Sequence, residues 1–291
     1  MAMRKLLFIV NPLSGGIDKK ELLKKIERKI RHSFDVAFTE RPGHATQLAR
    51  QSDADIVVAV GGDGTVNEVA GGLIGSGKVL AIVPCGSGDG LALHMGISRK
   101  VRRAVKTLNH GIITDMDCAL LDGKPFFCTA GVGLDADVAW QFASKSKRGV
   151  WGYIALAMKL WKHYRPQTYT IHIDGQELTT PAVMVTVANA DQWGNQARIA
   201  PLASVQDGLL NLVNVKPFST WEIPFLAAKL MTGRAHKSRR VQTIEGKSIV
   251  IDRLAPGPVH MDGDPFRMGT HLEIKVVPNA LRVLIPPDRY I

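Results

Sequence analysis

Short runs of apolar, largely β-branched residues alternate with amphipathic stretches through the first third of the chain, the signature of βαβ units that build a parallel sheet. Residues 6–10, 56–60 and 79–83 read as buried strands, and 35–39 as another. Between them, Leu22, Leu23, Ile26 and Ile30 mark one face of a helix over 19–31, with Lys24, Lys25, Arg28, Lys29 and Arg31 around the rest. Further helices are expected over 43–52 and 66–74. From about Asp117 the texture changes to strands, at 125–129, 169–174, 182–188, 208–215, 248–251 and 271–277, interrupted by helices at 153–164 and 220–231. The pattern predicts a doubly wound α/β domain with a mostly parallel sheet over 1–117, then a mainly antiparallel, β-rich domain over 118–278. A last strand, 280–285, precedes Pro286 and Pro287; periodicity leaves open which sheet takes it, and 279–291 is a candidate to return to the first domain.

Composition narrows the class. At 291 residues and 45% hydrophobic, the chain has ample material for a folded core, which excludes disorder. Its three cysteines, Cys85, Cys118 and Cys128, are too few for a disulfide scaffold, and no secretory signal is apparent at the start, so a reducing cytoplasm is the expected setting. No apolar run approaches the about 20 residues that span a bilayer. With 37 Lys+Arg against 26 Asp+Glu, the net charge of +11 favours an anionic partner: nucleotide, nucleic acid or acidic lipid.

Strand 56–60 runs directly into Gly61-Gly62-Asp63-Gly64-Thr65, with a helix after it. A glycine turn at a helix N-terminus lets backbone N–H groups approach an anion, and the helix dipole adds about half a positive charge there. Thr65 is the expected N-cap. No Gly-Lys-Ser/Thr follows, so this is not a P-loop. A second turn, Pro84-Cys85-Gly86-Ser87-Gly88-Asp89-Gly90, ends the next strand, and Asn11-Pro12-Leu13-Ser14-Gly15-Gly16 ends the first. In an open parallel sheet ligands bind outside the carboxyl ends of strands, so the three turns would flank one site.

This ordered set resembles the catalytic domain of diacylglycerol and sphingosine kinases, in the soluble bacterial lipid-kinase branch. Asn67-Glu68 after the first turn, Gly131-Val132-Gly133-Leu134-Asp135-Ala136, Ala188-Asn189 with Gly194, Ile199-Ala200-Pro201 leading to Asp207-Gly208-Leu209-Leu210, and Asp262-Gly263-Asp264 extend the likeness over the whole chain. The resemblance implies an ATP- and Mg²⁺-dependent kinase acting on a lipid hydroxyl. It implies an ATP site lined by Asn11, Thr39, Gly61, Gly62, Asp63, Gly64, Thr65, Val66, Asn67, Gly86 and Ser87. The family's second loop is usually Gly-Thr-x-Asn-Asp; here Ser87 keeps the hydroxyl, while Asp89 and Gly90 move the acid by one residue, closer to the sphingosine-kinase-like pattern. Asp264 corresponds to the family's proposed general base, and Asp63 is placed to hold Mg²⁺ or accept a proton. Asp207, with the carbonyls of Ser204 and Leu209, matches a structural metal site away from the chemistry, suited to Mg²⁺ or Ca²⁺.

Four basic clusters stand out: 19–31, 98–103, 145–148 and 234–240. The last follows Trp221, Pro224, Phe225 and Leu226, and an apolar stretch beside Arg234, Lys237, Arg239 and Arg240 is what an anchor on an anionic membrane requires. Two other readings stand beside the lipid kinase: a soluble-substrate kinase of the NAD-kinase type, and a catalytically silent, nucleotide-regulated membrane-binding protein. Nucleic-acid binding rests on charge alone and is not expected, since no aromatic-interleaved basic strand appears.

Overall fold

The computed structural model describes residues 4–16, 18–144 and 150–289. The basic cluster at 145–148 lies outside them. In chain order the elements are β1 (Lys5–Val10), α1 (Lys19–Glu27), β2 (Ser33–Phe38), α2 (His44–Gln51), β3 (Ile56–Gly61), α3 (Asp63–Leu73), β4 (Val79–Pro84), α4 (Gly90–His94), α5 (Val101–His110) and β5 (Ile112–Leu121). There follow β6 (Lys124–Phe126), β7 (Thr129–Gly133), α6 (Leu134–Ala143), α7 (Val150–Trp161), β8 (Gln167–Ile173), β9 (Gln176–Ala182), β10 (Met184–Ala188), β11 (Leu210–Val215) and α8 (Ile223–Met231). The chain closes with β12 (Val241–Gly246), β13 (Ser248–Arg253), β14 (Gly257–Met261), β15 (Asp264–Met268) and β16 (His271–Ile285). It divides into two units, one from residues up to 117 together with those from 278 on, the other from 118–277.

In the first unit, β2-β1-β3-β4 are parallel neighbours, and Phe38, Val10, Val60 and Val83 stand side by side in register. β3 and β4 are buried at every position, because helices cover both faces of the sheet. Leu22 and Ile26 of α1 and Ala104, Val105 and Leu108 of α5 pack on one face against Leu6, Phe8, Val58 and Val60. The open question of the last strand is settled: Arg282 and Val283 of β16 pair in parallel with Val79 and Leu80 of β4.

The second unit is antiparallel. Six strands run β12-β11-β10-β7-β14-β15, and the first part of β16 pairs β13, which pairs β8, which in turn pairs β9. Val185, Val187, Leu210, Leu212 and Val259 from the six-stranded sheet share one core with Ile171, Ile173, Ile249, Ile251 and Leu272. Three hairpins turn on Asp-Gly pairs with both residues left-handed: Asp122-Gly123, Asp174-Gly175 and Asp262-Gly263.

Several elements differ from the sequence pattern. The helix expected over 66–74 begins at Asp63, with Gly62 as N-cap, so Thr65 is not the cap but lies in the first turn. α1 stops at Glu27 instead of continuing to Arg31, since Arg28 closes it as C-cap. The strand expected at 125–129 is two strands, and that at 182–188 falls within two, β9 and β10.

Candidate functional site

Because the strands of the first sheet are in register, their carboxyl ends bring Thr39, Asn11, Gly61 and Pro84 to one edge. The residues there are tied to one another. Asn11 Nδ2 donates to Thr65 Oγ1 at 3.1 Å, its backbone N–H to Val60 O at 3.1 Å, and Thr39 N–H to Val10 O at 2.9 Å. The first and second glycine turns touch: a Cβ on Gly86 would lie 2.6 Å from the Gly62 Cα and 2.7 Å from Asp89 Oδ1. Gly15 presses as closely, since a Cβ there would sit 1.8 Å from the Cys85 carbonyl oxygen. These approaches explain why no larger residue occupies positions 15 and 86.

Two acids on α3 clamp neighbouring helices. Asp63 Oδ2 accepts the Asp89 N–H at 2.8 Å and Oδ1 the Gly90 N–H at 2.7 Å, at the start of α4. Glu68 accepts the Gly43 and Ala45 N–H groups at 2.9 and 3.1 Å, at the start of α2. A carboxylate offers about four lone-pair sites, so the Asp63 bonds do not exhaust it as a ligand for a hard cation. Asp89 is buried, at φ 49°, and its Oδ1 accepts the Gly86 N–H at 2.8 Å. Burial pushes its carboxyl above the usual range, against the pull of the Arg99 guanidinium 2.7 Å away. Buried Lys19 donates from Nζ to the Ser14 carbonyl. No sequence signal gives Lys19 or Arg99 a place in the site, and Glu68 enters only through the Asn67-Glu68 likeness, with no role of its own. In the sequence Lys19 and Arg99 are members of charge runs; in the fold Lys19 is buried, and the exposed Arg99 reaches buried Asp89.

The other sequence-derived residues belong to the second unit. Asp264 is exposed at the first position of β15, paired with Met261 across the hairpin. Its turn is pinned by Asp262, whose carboxylate accepts the N–H groups of Phe127, Cys128 and Thr129 at 2.8, 2.7 and 3.0 Å. Behind it, buried His260 Nε2 lies 3.0 Å from Asp135 Oδ2, which also accepts the Thr186 hydroxyl at 2.9 Å. In the 204–209 turn, Asp207 Oδ1 accepts the Leu209 N–H at 2.9 Å, and Ser204 Oγ the Gln206 N–H at 3.2 Å. Ser204, Asp207 and Leu209 supply only hard oxygen donors, which suit Mg²⁺ or Ca²⁺. Among the described residues, no group of three or more His, Cys, Asp or Glu is arranged to hold a metal.

The second unit also holds a cavity of about 210 Å³ with an almost wholly apolar lining. Ala157, Met158 and Trp161 of α7, Leu226 and Leu230 of α8, and Met184, Val215 and Val241 of the sheet line it. The outer sides of those helices are apolar as well. Trp151 and Ile154 of α7 are 84% and 45% exposed, Phe225 of α8 64%, and Trp221, just before α8, 70%. No helix among the described residues is long and apolar enough to cross a membrane.

Residues 5–121 match the diacylglycerol kinase catalytic domain, and residues 128–285 the YegS C-terminal NAD kinase beta sandwich-like domain. The chain is 25% identical to a diacylglycerol kinase of Bacillus subtilis (strain 168), over 90% of each chain. It is 28% identical to a YegS-like probable lipid kinase of Citrobacter koseri, over 82% of this chain and 81% of that one. A crystal structure of a diacylglycerol kinase from Bacillus anthracis str. Sterne superimposes with a TM-score of 0.76 at 22% identity, covering 99% of this chain and 98% of the other, and shares the fold.

Proposed function

The chain belongs to the diacylglycerol kinase catalytic-domain family, in its two-domain, YegS-like form, and from that premise we propose that it is an ATP- and Mg²⁺-dependent lipid kinase. It transfers the terminal phosphoryl group of ATP to a hydroxyl of a diacylglycerol-like lipid or a sphingoid base. The observation that carries the lipid reading is the apolar cavity between α7, α8 and the sheet, whose lining has no polar group to bind a sugar or nucleotide but suits a hydrocarbon chain.

Phosphoryl transfer leaves little covalent work to the protein, so its residues act by positioning and by charge. Asn11, Thr39, Gly61 to Asn67, Gly86 and Ser87 hold the nucleotide, with backbone N–H groups of the two glycine turns facing its phosphates. Asp63 fits the role of Mg²⁺ ligand, the ion offsetting phosphate charge when bound. Asp264, exposed on a pinned hairpin, takes the proton of the attacking hydroxyl, and ADP leaves. Ser204, Asp207 and Leu209 hold a second, structural ion. The exposed aromatic residues on and beside α7 and α8 dock on an anionic membrane, with Arg234, Lys237 and Arg239 beside α8.

The test is transfer of label from γ-labelled ATP into a total lipid extract. Label in an organic-soluble product is expected, and Ala157→Trp, which fills the cavity, should lower it. Label only in water-soluble products, or none, overturns the reading.

A further inference from the structure

Segment 86–88 is Gly-Ser-Gly, a sequence with little backbone preference of its own. Its shape is imposed by two side chains, Asp89 and, above all, Arg99. Arg99 Nε donates to Asp89 Oδ2 at 2.7 Å, and Nη2 donates to the carbonyls of Gly88 at 2.7 Å and Ser87 at 3.2 Å. Through Asp89 the same guanidinium also fixes the Gly86 N–H, which binds the other carboxylate oxygen.

We propose that Arg99 is a positioning residue that folds the second glycine turn into an anion-binding nest for the phosphates of the nucleotide. In a trans peptide the C=O and the following N–H point in opposite directions. Drawing the Ser87 and Gly88 carbonyls toward Arg99 therefore turns the N–H groups of Gly88 and Asp89 away from it. The Asp89 N–H shows where that direction leads, because it meets Asp63 in the first glycine turn at 2.8 Å. The Gly88 N–H faces the same way. Among the described residues neither it nor the Ser87 N–H has a hydrogen-bond partner in the protein. Two such donors beside the first glycine turn are what a phosphate group takes. The task needs arginine: only its planar fork can hold a carboxylate and two carbonyls at once, whereas a lysine ammonium supplies the charge without that geometry.

The inference rests on the nucleotide reading above, so the test separates the two. Binding of Mg²⁺-ADP to the full chain is measured by calorimetry, without lipid, for wild type, Arg99→Lys and the exposed neighbour variant Arg102→Lys. Arg99→Lys is expected to weaken binding about tenfold, which is about 1.4 kcal/mol, and to raise the KM for ATP more than it lowers kcat. Arg102→Lys should bind as wild type does. Equal affinity of Arg99→Lys and wild type, or an equal loss in Arg102→Lys, overturns the assignment to Arg99 and leaves the nucleotide site standing. Absence of binding by wild type overturns both. If Arg99→Lys does not fold, Asp89→Asn carries the test, since its remaining oxygen can still accept the Gly86 N–H while the ion pair is gone. The same tenfold loss is expected there, and wild-type affinity overturns the proposal.

Discussion

Arg240 and Glu222 form a two-point pair, Nε to Oε1 at 2.8 Å and Nη2 to Oε2 at 3.0 Å, and Arg240 Nη1 also holds the Pro217 carbonyl. Arg240 therefore joins the start of the α8 segment to β12, and Arg234, Lys237 and Arg239 remain as the exposed cations beside Trp221 and Phe225. Each cation near an acidic surface is worth about 1 kcal/mol and is screened beyond about 8 Å at physiological salt. Vesicle sedimentation should show wild type on anionic liposomes at low salt and free at high salt. The triple Ala variant should stay in solution yet keep its turnover on short-chain micellar lipid, whereas equal vesicle binding by both proteins would refute the anchor.

Glu68 is half-buried and serves two backbone N–H groups at once. Glu68→Ala strands both at the start of α2, so chemical denaturation should show a loss of about 1–3 kcal/mol. Glu68→Gln, which keeps one acceptor oxygen, should lose less.

The two acids assigned to the chemistry differ in how they are held, and their Asn variants should differ accordingly. Asp264 is exposed at the head of β15, and Asp264→Asn is expected to keep the fold yet lower turnover by about 10²–10⁴-fold. Asp63→Asn replaces one acceptor by a donor and leaves an α4 N–H unpaired, so it should lower both turnover and stability. A folded Asp264→Asn protein with near-wild-type rates removes Asp264 from the base role.

If Ser204, Asp207 and Leu209 hold an ion in the folded state only, Mg²⁺ or Ca²⁺ should raise the melting temperature of wild type without nucleotide. Asp207→Ala should not respond. Identical titrations of the two proteins exclude the site.

On the outer face of the second unit, His271 Nδ1 lies 2.7 Å from Asp252 Oδ1. That hydrogen bond above all, with Glu273 adding to it, raises the imidazole above its usual 6.5. The folded state thus favours the protonated ring. Its contribution to stability is complete below the unfolded value and is lost as pH rises through the folded one. Proton NMR should place the His271 midpoint above 6.5, and Asp252→Asn should bring it back toward that value.

The fold class was readable because it rests on local periodicity. Runs such as 56–60 are apolar throughout only when both faces of a sheet are covered. What was missed had its signal masked or lay in distant contacts. α5 carries Val101, Ala104, Val105 and Leu108 at helical spacing, but the basic run from Arg99 to Arg103 masks its start. β6 and β7 were merged because Phe127 and Cys128, which separate them, are themselves apolar and buried. The start of α3 at Asp63 was hidden by its glycines, which read as loop when taken alone. Nothing local marks Arg99 as the partner of Asp89, ten residues away, or Glu68 as the cap of a helix that precedes it.

β16 sets the order in which the protein can be completed. Its first residues pair with β13, and Arg282 and Val283 then lie beside β4, which was made some 200 residues earlier. A chain leaving the ribosome can gather β1 to β4 early, yet β4 keeps an open, hydrogen-bonding edge until the whole intervening unit has been synthesised. Strand edges of this kind invite pairing with the wrong chain. The first unit is therefore the first to begin and the last to close, and a nascent chain stopped before residue 282 presents that edge bare.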